Sequence, residues 1–248
     1  YQAIGFHAHT NALYNRETNF PLIGFDTMLF MDAYQQQATY EGGYFDDNST
    51  ADVLISLFEE NREEPLYLYA MTMQNHQPYY AGRYSEDRVE VTSDKLSDAD
   101  LEVLQCYVNG IYDADQMLGR LTDYFSQVDE PVLLVFAGDH TASMYLSDDE
   151  SVYSALDYVS APTAAGWTAE DYQEMLSTDY IIWANYDLGE TAGTRRDLSA
   201  SFIASEILDL AGVSNTPYYA WLHETGRSLM TYRSGNVLVD AEGNRVDD

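Results

Sequence analysis

Two histidines of the chain follow segments that are typical of β-strands. His76 comes after the apolar run at residues 66–73, and His140 comes after the run at 131–137. Ligands of open α/β sheets bind beyond the carboxyl ends of the strands, so both histidines are candidate site residues. Two of the remaining three histidines share one short segment near residue 1. This placement of four among five histidines is the main chemical signal in the sequence.

The second of these strands ends in Gly138-Asp139-His140. The glycine allows a sharp backbone turn, and the next two residues offer an oxygen and a nitrogen ligand side by side. A divalent ion such as Mn²⁺ or Zn²⁺ accepts that mixed donor set. The same tripeptide also suits an Asx turn with a surface histidine, so the motif alone leaves both interpretations open.

His76 lies in the polar segment Asn75-His76-Gln77-Pro78-Tyr79. A histidine in this position can bind an anionic group or move a proton near neutral pH. The alternative is a turn histidine that bonds to the backbone, and the sequence alone does not separate the two.

The segment near the N-terminus combines His7, His9, Tyr14 and Arg16. Arginine binds phosphate through a planar fork of donors, and only 11 basic residues exist in the chain. His7 and His9 would share one face of a strand, so they also form a possible metal pair. His223 stands apart from these groups and is interpreted as a surface or packing residue.

Composition narrows the range of partners. The 248 residues carry 42 acids against 11 bases, a net charge of −31, and 46% of them are hydrophobic. A packed core is therefore feasible, whereas nucleic acid and anionic membrane surfaces are unfavourable partners. The acidic residues Asp46, Asp47, Asp113, Asp115 and 148–150 are interpreted as solvated or capping groups. The single cysteine, Cys106, excludes an internal disulfide and is interpreted as a small core residue.

The chain shows no apolar run of 18 residues and no signal peptide, and it opens on Tyr1 without a methionine. We therefore expect a natural N-terminal part that is missing from this chain. Alternating patterns predict an α/β fold: a mainly parallel central sheet flanked by helices, with a small C-terminal β-hairpin. We expect one domain over 1–248, with a core at about 1–215 and a hairpin extension at about 216–248.

Individual elements are predicted from capping residues and apolar spacing. The uniformly apolar run at 131–137 favours a strand of a parallel sheet that is buried on both faces. The acidic, serine-rich residues 141–168 are interpreted as a long surface loop or lid. The other predictions are helices at 50–62, 97–126 and 198–211, strands at 66–73 and 179–186, and a helix stop at Gly212.

Together, these motifs resemble the extracellular domain of lipoteichoic acid synthases, which are phosphoglycerol transferases of the alkaline phosphatase and sulfatase superfamily. The resemblance covers about residues 1–215. The matching residues occur in the family's order: His7, Tyr14-Asn15-Arg16, Gly24-Phe25-Asp26, Tyr69-Ala70-Met71-Thr72, Asn75-His76-Gln77-Pro78-Tyr79 and Gly138-Asp139-His140.

The resemblance implies roles for particular residues. Asp139 and His140 are expected to bind one divalent ion, with Mn²⁺ favoured over Mg²⁺ or Zn²⁺. His76 is expected to act in catalysis and in substrate binding, together with His7, Tyr14 and Arg16. The family's threonine nucleophile and its glutamate ligand lie upstream of the matched segments. We therefore expect this fragment to bind metal weakly and to be inactive alone.

The function implied is an extracellular, metal-dependent phosphotransferase at the outer face of the bacterial cell membrane. It would move glycerol phosphate from a lipid-linked donor to a cell-envelope polymer, and the full-length protein would carry a membrane anchor. Two departures from the family pattern are Tyr14, where tryptophan is common, and Thr141, where glycine is usual. The alternatives are a sulfatase or phosphodiesterase hydrolase, a calcineurin-like metallophosphoesterase, or a non-catalytic surface module.

Overall fold

The computed structural model describes residues 1–147, 150–214, 216–233, 237–240 and 245–246. The strands are β1 (Gln2–His7), β2 (Thr27–Phe30), β3 (Tyr40–Glu41), β4 (Tyr44–Phe45), β5 (Leu66–Met71), β6 (Leu133–Ala137), β7 (Tyr145–Ser147), β8 (Glu150–Ser151), β9 (Tyr180–Ala184), β10 (Leu229–Arg233), β11 (Val237–Asp240) and β12 (Arg245–Val246). The helices are α1 (Arg16–Leu22), α2 (Asp47–Glu60), α3 (Asp98–Phe125), α4 (Val152–Ala155), α5 (Ala169–Met175), α6 (Ala200–Leu210) and α7 (Pro217–Ser228).

The chain divides into two compact units. The first comprises Tyr1–Tyr124 with Gly138–Asp179, and the second comprises Phe125–Ala137 with Tyr180–Asp248. Both combine helices and strands, and the fold class predicted from the sequence is confirmed. The single domain expected over 1–248 stays a prediction.

A parallel sheet forms the centre of the first unit. Its strand order is β2-β1-β5, and the central strand pairs in parallel with both neighbours. Alternate residues of a strand point to one face, which explains why Ile4, Phe6 and Ala8 are buried together. They share a core cluster with Val53 and Leu57 of α2. This packing fixes the carboxyl end of β1, where His7 lies.

Helix α2 begins earlier than the sequence predicts. The expected start was residue 50, but the N-cap is Asp46, whose Oδ1 accepts a hydrogen bond from the Ser49 backbone N–H at 2.6 Å. A carboxylate is a strong N-cap acceptor. Thr50 lies inside the helix, fully buried, and its hydroxyl donates to the Asp46 carbonyl oxygen at 3.1 Å.

Helix α3 confirms the long helix predicted at 97–126. Ser97 precedes it, and the Ser97 hydroxyl accepts a hydrogen bond from the Asp100 backbone N–H at 3.3 Å. Cys106 on this helix is 3% exposed, and burial raises the pKa of its thiol. The interpretation of Cys106 as a core residue is therefore confirmed.

Strand β6 of the second unit differs from its predicted setting. It pairs antiparallel with β9, with Leu133 opposite Ala184, and most of its residues are only half-buried. The prediction that β6 lies in a parallel sheet with both faces buried is therefore wrong for the pairing described. An apolar run reports the polarity of a strand's surroundings, and it carries no information on the direction of the neighbouring strand.

The C-terminal segment contains a helix that the sequence analysis missed. Helix α7 occupies much of the predicted hairpin extension, and its N-cap Thr216 accepts a hydrogen bond from the Tyr219 backbone N–H. The strands β10, β11 and β12 that follow are antiparallel, as a hairpin requires. The predicted turn residues 234–236 and 241–244 lie outside the described residues. Within the described part of the chain, none of the helices has the length and hydropathy that crossing a bilayer needs.

The predicted loop at 141–168 has more structure than expected. It contains the β7–β8 pair and α4, and its residues Val152 and Val159 are buried. Ser151 caps α4 through a capping box with Ser154. The segment is therefore a packed element of the first unit rather than an open surface loop. Residues 148 and 149, among the acids interpreted as solvated, lie outside the described residues.

Candidate active site

His7 lies at the end of β1 and is almost completely buried. Only 1% of its surface is exposed, and the neighbouring Ala8 backbone N–H donates to the Met71 carbonyl oxygen at 3.0 Å. Burial, followed by the charges of Arg16 and His9, lowers the pKa of His7 to about 4. The imidazole is therefore neutral at physiological pH. Its Nδ1 is buried without a hydrogen-bond partner in the described structure, so one polar atom is left for a ligand.

Arg16 begins α1, directly after a tight turn. Tyr14 and Asn15 adopt left-handed backbone angles, with φ of 59° and 51°. Such angles are uncommon for residues other than glycine, and they often occur at functional sites. The Arg16 guanidinium lies 4.5 Å from the centre of the exposed Tyr14 ring. One of its terminal nitrogens, Nη1, is buried without a partner among the described residues.

The buried side chain of Arg83 stabilises the loop that carries His76. This arginine is 6% exposed, and its Nη1 donates to the carbonyl oxygens of His76 at 2.7 Å and of Pro78 at 2.9 Å. Its Nη2 donates to the carbonyl oxygen of Gln74. A single planar guanidinium therefore satisfies three backbone acceptors of one loop. The sequence analysis did not single out Arg83, because nothing in the residue type indicated that its partners would be main-chain groups.

The ring orientation of His76 is defined by its own loop. Its Nδ1–H donates to the Gln77 carbonyl oxygen at 2.8 Å, and the Tyr44 hydroxyl donates to the same oxygen at 2.8 Å. A donor at Nδ1 leaves Nε2 with a lone pair in the neutral imidazole. His76 thus bonds to the backbone, as one interpretation of the sequence proposed, and this bond leaves Nε2 able to accept a proton.

A buried polar network lies behind this loop. The side chain of Gln74 accepts from the Asp47 backbone N–H at 2.6 Å and donates to Asp113 at 2.6 Å, and Arg88 donates to Asp113 at 3.2 Å. Burial, followed by the charges of Asp113 and Asp46, raises the pKa of Asp47 to about 7. The interpretation of Asp46 as a capping group is confirmed, whereas that of Asp47 as a solvated or capping group is wrong. Asp47 is 2% exposed because it lies on the inner face of α2.

Helix α3 packs closely against the same loop at Gly110. A Cβ at this position would lie 2.1 Å from Asn75 Oδ1 and 2.8 Å from the Tyr84 hydroxyl. Only glycine permits this approach, so Gly110 helps to set the position of the residue before His76.

The Asp139–His140 pair is far more exposed. The side chains are 91% and 58% exposed, respectively, and Asp139 Oδ2 lies 3.8 Å from His140 Nε2. The His140 Nδ1–H donates to the Thr141 carbonyl oxygen at 2.9 Å, which leaves Nε2 free. Histidines that bind metals commonly donate their other ring N–H in this way. Behind the pair, Gly138 accepts a hydrogen bond from Thr178 and donates one to Asp179, at 2.7 and 3.1 Å.

These two side chains suit a divalent ion as part of a larger set of ligands. A carboxylate oxygen and an imidazole nitrogen face each other, and the histidine tautomer is the required one. Within the described residues, however, no group of three or more histidine, cysteine or acidic residues is arranged to hold a metal. The pair therefore supplies two ligands, and a complete site needs donors beyond it.

The structure brings some of the predicted site residues together, namely His7, His9 and His76. The His9 ring centre lies 5.8 Å from that of His7 and 6.3 Å from that of Tyr44, and Tyr44 lies 6.2 Å from His76. Among the described residues, no hydrogen bond, ion pair or ring contact joins Asp139 or His140 to these rings or to Arg16. That Asp139 and His140 act on the same substrate as these residues stays a prediction.

The chain is similar to a known protein family. Residues 1–213 match the family described as Sulfatase, which covers most of the chain. The chain therefore belongs to the sulfatase family, within the alkaline phosphatase superfamily.

The chain is also similar to particular proteins and solved structures. A putative cyclic beta-1,2-glucan modification protein of Rhizobium meliloti is 28% identical over 225 residues, which cover 88% of this chain and 33% of that protein. Among solved structures, the phosphoglycerol transferase GacH of Streptococcus pyogenes, in complex with sn-glycerol-1-phosphate, has a TM-score of 0.71 at 20% identity. The lipoteichoic acid synthase LtaP of Listeria monocytogenes has a TM-score of 0.61 at 18% identity.

The chain corresponds to only part of each relative. The match to GacH includes 95% of this chain and 56% of GacH. The match to LtaP includes 87% of this chain and 50% of LtaP. It spans about a third of the length of the curated relatives that it matches. The similarity to the two solved structures concerns the fold, and the predicted likeness to phosphoglycerol transferases is confirmed at that level.

Proposed function

We propose that this chain is the larger part of the catalytic domain of an extracellular, metal-dependent phosphoglycerol transferase. Its donor is a lipid-linked glycerol phosphate, and its acceptor is a hydroxyl of a cell-envelope polymer. The fold similarity to GacH and LtaP supports the reaction class, and the name of the rhizobial relative supports a saccharide acceptor. The full-length protein acts at the outer face of the bacterial cell membrane.

One observation carries this proposal: in the described part of the chain, two buried polar atoms of residues that interact electrostatically have no hydrogen-bond partner. They are Nδ1 of His7 and Nη1 of Arg16. Leaving such atoms unpaired costs about 1–3 kcal/mol each, more when the group is charged, so a ligand that satisfies them gains binding energy. In a chain with a net charge of −31, an arginine beside histidines favours an anionic ligand such as a phosphoryl group.

We assign a separate role to each of these residues. Arg16 and His7 bind phosphoryl oxygens, and the Tyr14 ring, against the Arg16 guanidinium, forms a wall for the glycerol group. As the acceptor oxygen bonds to phosphorus and the P–O bond to the group carrying the glycerol phosphate breaks, Nε2 of His76 takes the acceptor's proton, because its Nδ1 is already engaged with the Gln77 carbonyl oxygen. The rigid support of this loop by Arg83 keeps Nε2 in position for that transfer.

Asp139 and His140 supply two of the ligands of a divalent ion, with Mn²⁺ preferred to Mg²⁺ or Zn²⁺. When bound, such an ion offsets negative charge on phosphoryl oxygens. We propose that the other ligands and the nucleophile belong to residues outside these 248. The chain by itself is accordingly expected to bind the ion weakly and to show no turnover.

Binding of sn-glycerol-1-phosphate to this chain tests the proposal without any need for turnover. We expect saturable binding by calorimetry and a loss of at least about tenfold in affinity for Arg16→Ala, because a charge-assisted hydrogen bond contributes about 1.5–3 kcal/mol. Arg195→Ala removes the same charge from an exposed position and should leave the affinity unchanged. Equal affinities in the wild type and Arg16→Ala would reject the proposed phosphate site.

A hydrolase of the same superfamily is the second candidate, because the matched family is the one described as Sulfatase. In that case water replaces the polymer hydroxyl. The longest natural polypeptide that contains this chain should release diacylglycerol from phosphatidylglycerol and attach glycerol phosphate to a saccharide acceptor. Release of free glycerol phosphate without transfer, or turnover of an aryl sulfate ester, would favour the hydrolase.

A further inference from the structure

His9 lies between the two histidines to which the proposed function gives roles, yet it has no role itself. Its ring contacts the His7 ring on one side, at 5.8 Å between centres, and the Tyr44 ring on the other, at 6.3 Å. Tyr44 in turn contacts His76 at 6.2 Å. His9 is thus part of a continuous row of rings that links the buried end of β1 to the loop after β5.

The backbone around His9 is fixed although it lies just beyond the strand. The preceding residue, Ala8, continues the pairing with β5 through its N–H to the Met71 carbonyl oxygen at 3.0 Å. On the other side, the His9 carbonyl oxygen accepts a hydrogen bond from the Met31 backbone N–H at 3.2 Å. Strand β1 ends at His7 and residues 8 and 9 form a bend, and these two backbone hydrogen bonds hold the bend in place, with the His9 ring beside that of His7.

The His9 side chain keeps a free hydrogen-bonding nitrogen. In the described structure, its only hydrogen bond joins Nδ1 to the Thr10 hydroxyl at a long 3.4 Å. Nε2 has no partner there, and the residue is only half-buried. A half-buried imidazole with a free Nε2, beside a fully buried one with an unpartnered Nδ1, suits a ligand that presents several acceptor oxygens.

The surrounding charges favour an anion over a metal ion. Arg16 lies close enough to lower the pKa of His7, and its positive charge would repel a cation at the same place. No acidic side chain makes a described contact with the rings of His7 or His9, and no metal-binding cluster occurs in the described residues. The metal-pair interpretation of His7 and His9 therefore lacks both the negative charge and the third ligand that it needs.

We propose that His9 is a further substrate-binding residue of this site and that its Nε2–H donates to the phosphoryl group of a phosphate ester. This inference rests on the proposed function, because it concerns the same ligand. His7 and Arg16 meet the phosphoryl group from the β1 side, and His9 meets it from the side of Tyr44. The Tyr44 ring, between His9 and His76, then faces the carbon skeleton of the ester. The substrate class is a glycerol or sugar phosphate ester, since inorganic phosphate has no group to place against that ring.

Three variants at position 9 test this role in binding assays with sn-glycerol-1-phosphate. His9→Ala should weaken binding about tenfold, the size of one hydrogen bond to a charged group. His9→Gln keeps an N–H donor near the position of Nε2 and should recover part of the affinity. His9→Asn places its donor near the position of Nδ1 and should recover little. His223→Gln, in the second unit, is the matched control and should bind as the wild type does.

A second measurement does not depend on the variants folding well. In the wild type, addition of sn-glycerol-1-phosphate should shift the imidazole ¹⁵N signal of His9 Nε2 and leave that of His223 unchanged. Inorganic phosphate should give a smaller shift at higher concentration.

Three results would overturn the assignment, and they differ in what else they imply. Wild-type affinity in His9→Ala with an unshifted His9 signal, while Arg16→Ala is impaired, rejects the role of His9 and leaves the proposed function standing. Absence of any binding by the wild-type chain rejects both. A His9 signal that responds to Zn²⁺ but not to the phosphate ester would restore the metal-pair interpretation.

Discussion

The loop that carries His76 and the turn that carries Asp139 and His140 both follow a strand, but they are held very differently. Three carbonyl oxygens of the His76 loop accept from the buried Arg83 side chain. The Asp139 and His140 side chains are 91% and 58% exposed and bond only locally. The half of the proposed site that binds the anion is therefore preorganised within this chain. The half proposed to bind the metal contributes two exposed side chains, and no third candidate ligand joins them within the described residues.

The largest expected effect comes from removing the support of the His76 loop. Arg83→Ala leaves three backbone acceptors without their donor, at about 1–3 kcal/mol for each buried unpaired group. We expect the free energy of unfolding to fall by about 3 kcal/mol or more in urea denaturation. Arg83→Lys should recover only part of it, because an ammonium lacks the planar fork.

Asp139→Asn is the counterpart in the exposed turn. Without added metal it should change the free energy of unfolding by less than about 0.5 kcal/mol, as most surface substitutions do. Similar losses for Arg83→Ala and Asp139→Asn would remove the distinction between a preorganised loop and an open turn.

A smaller effect is expected at the contact between α3 and the His76 loop. Gly110→Ala pushes a methyl group into Asn75 and Tyr84, and overpacking of this kind costs about 1–3 kcal/mol. Gly119 on the same helix has open space around its Cα, so Gly119→Ala should stabilise the protein by up to about 1 kcal/mol. Thermal unfolding of both variants checks the opposite signs. Two stabilised variants would show that the loop adapts freely.

The last prediction concerns pH. The pKa of Asp47 rises from 3.8 in the unfolded chain to about 7 in the fold, so the wild type loses stability as pH increases through that range. Asp47→Asn removes this loss, and the variant should gain stability relative to the wild type between about pH 4 and pH 7. His7 acts in the opposite direction, since its lowered pKa makes stability rise from about pH 4 to 6.5, but it is present in both proteins. A constant difference across this range would show that Asp47 is ionised in the fold.

The sequence predicted the elements that carry the site better than the contacts that support it. The apolar spacing of α3 and the residues that cap it were sufficient to place that helix. Strand ends followed by histidine were sufficient to select His76 and His140, and His7 was selected from the short segment that it shares with Arg16. Pattern alone failed for β6, where an apolar run gave no strand direction, and at 216–248, where helix α7 was missed.

The supporting residues were not predictable in the same way. Arg83 acts through main-chain oxygens that lie five to nine residues earlier, and such partners leave no mark on residue types. Asp46 and Asp47 are adjacent acids at the start of α2. Only the position of Asp47 on the inward face of the helix distinguishes it, as the buried residue, from the N-cap Asp46. Gln74 joins Asp47 to Asp113 across 27 and 39 positions of sequence, respectively, and the sequence gives no sign of either link.

We propose that Asp139 and His140 share one substrate with His7, Arg16 and His76. Mn²⁺ is paramagnetic, so nuclear magnetic resonance of this chain during a Mn²⁺ titration reports directly which histidines lie near the ion, even when it binds weakly. A shared substrate predicts broadening of the His140 signals together with those of His76 and His7, no effect on His223, and loss of the whole response in Asp139→Asn. Broadening of His140 alone would contradict it, because the metal pair would then be too far from the anion-binding residues to act on the same phosphoryl group.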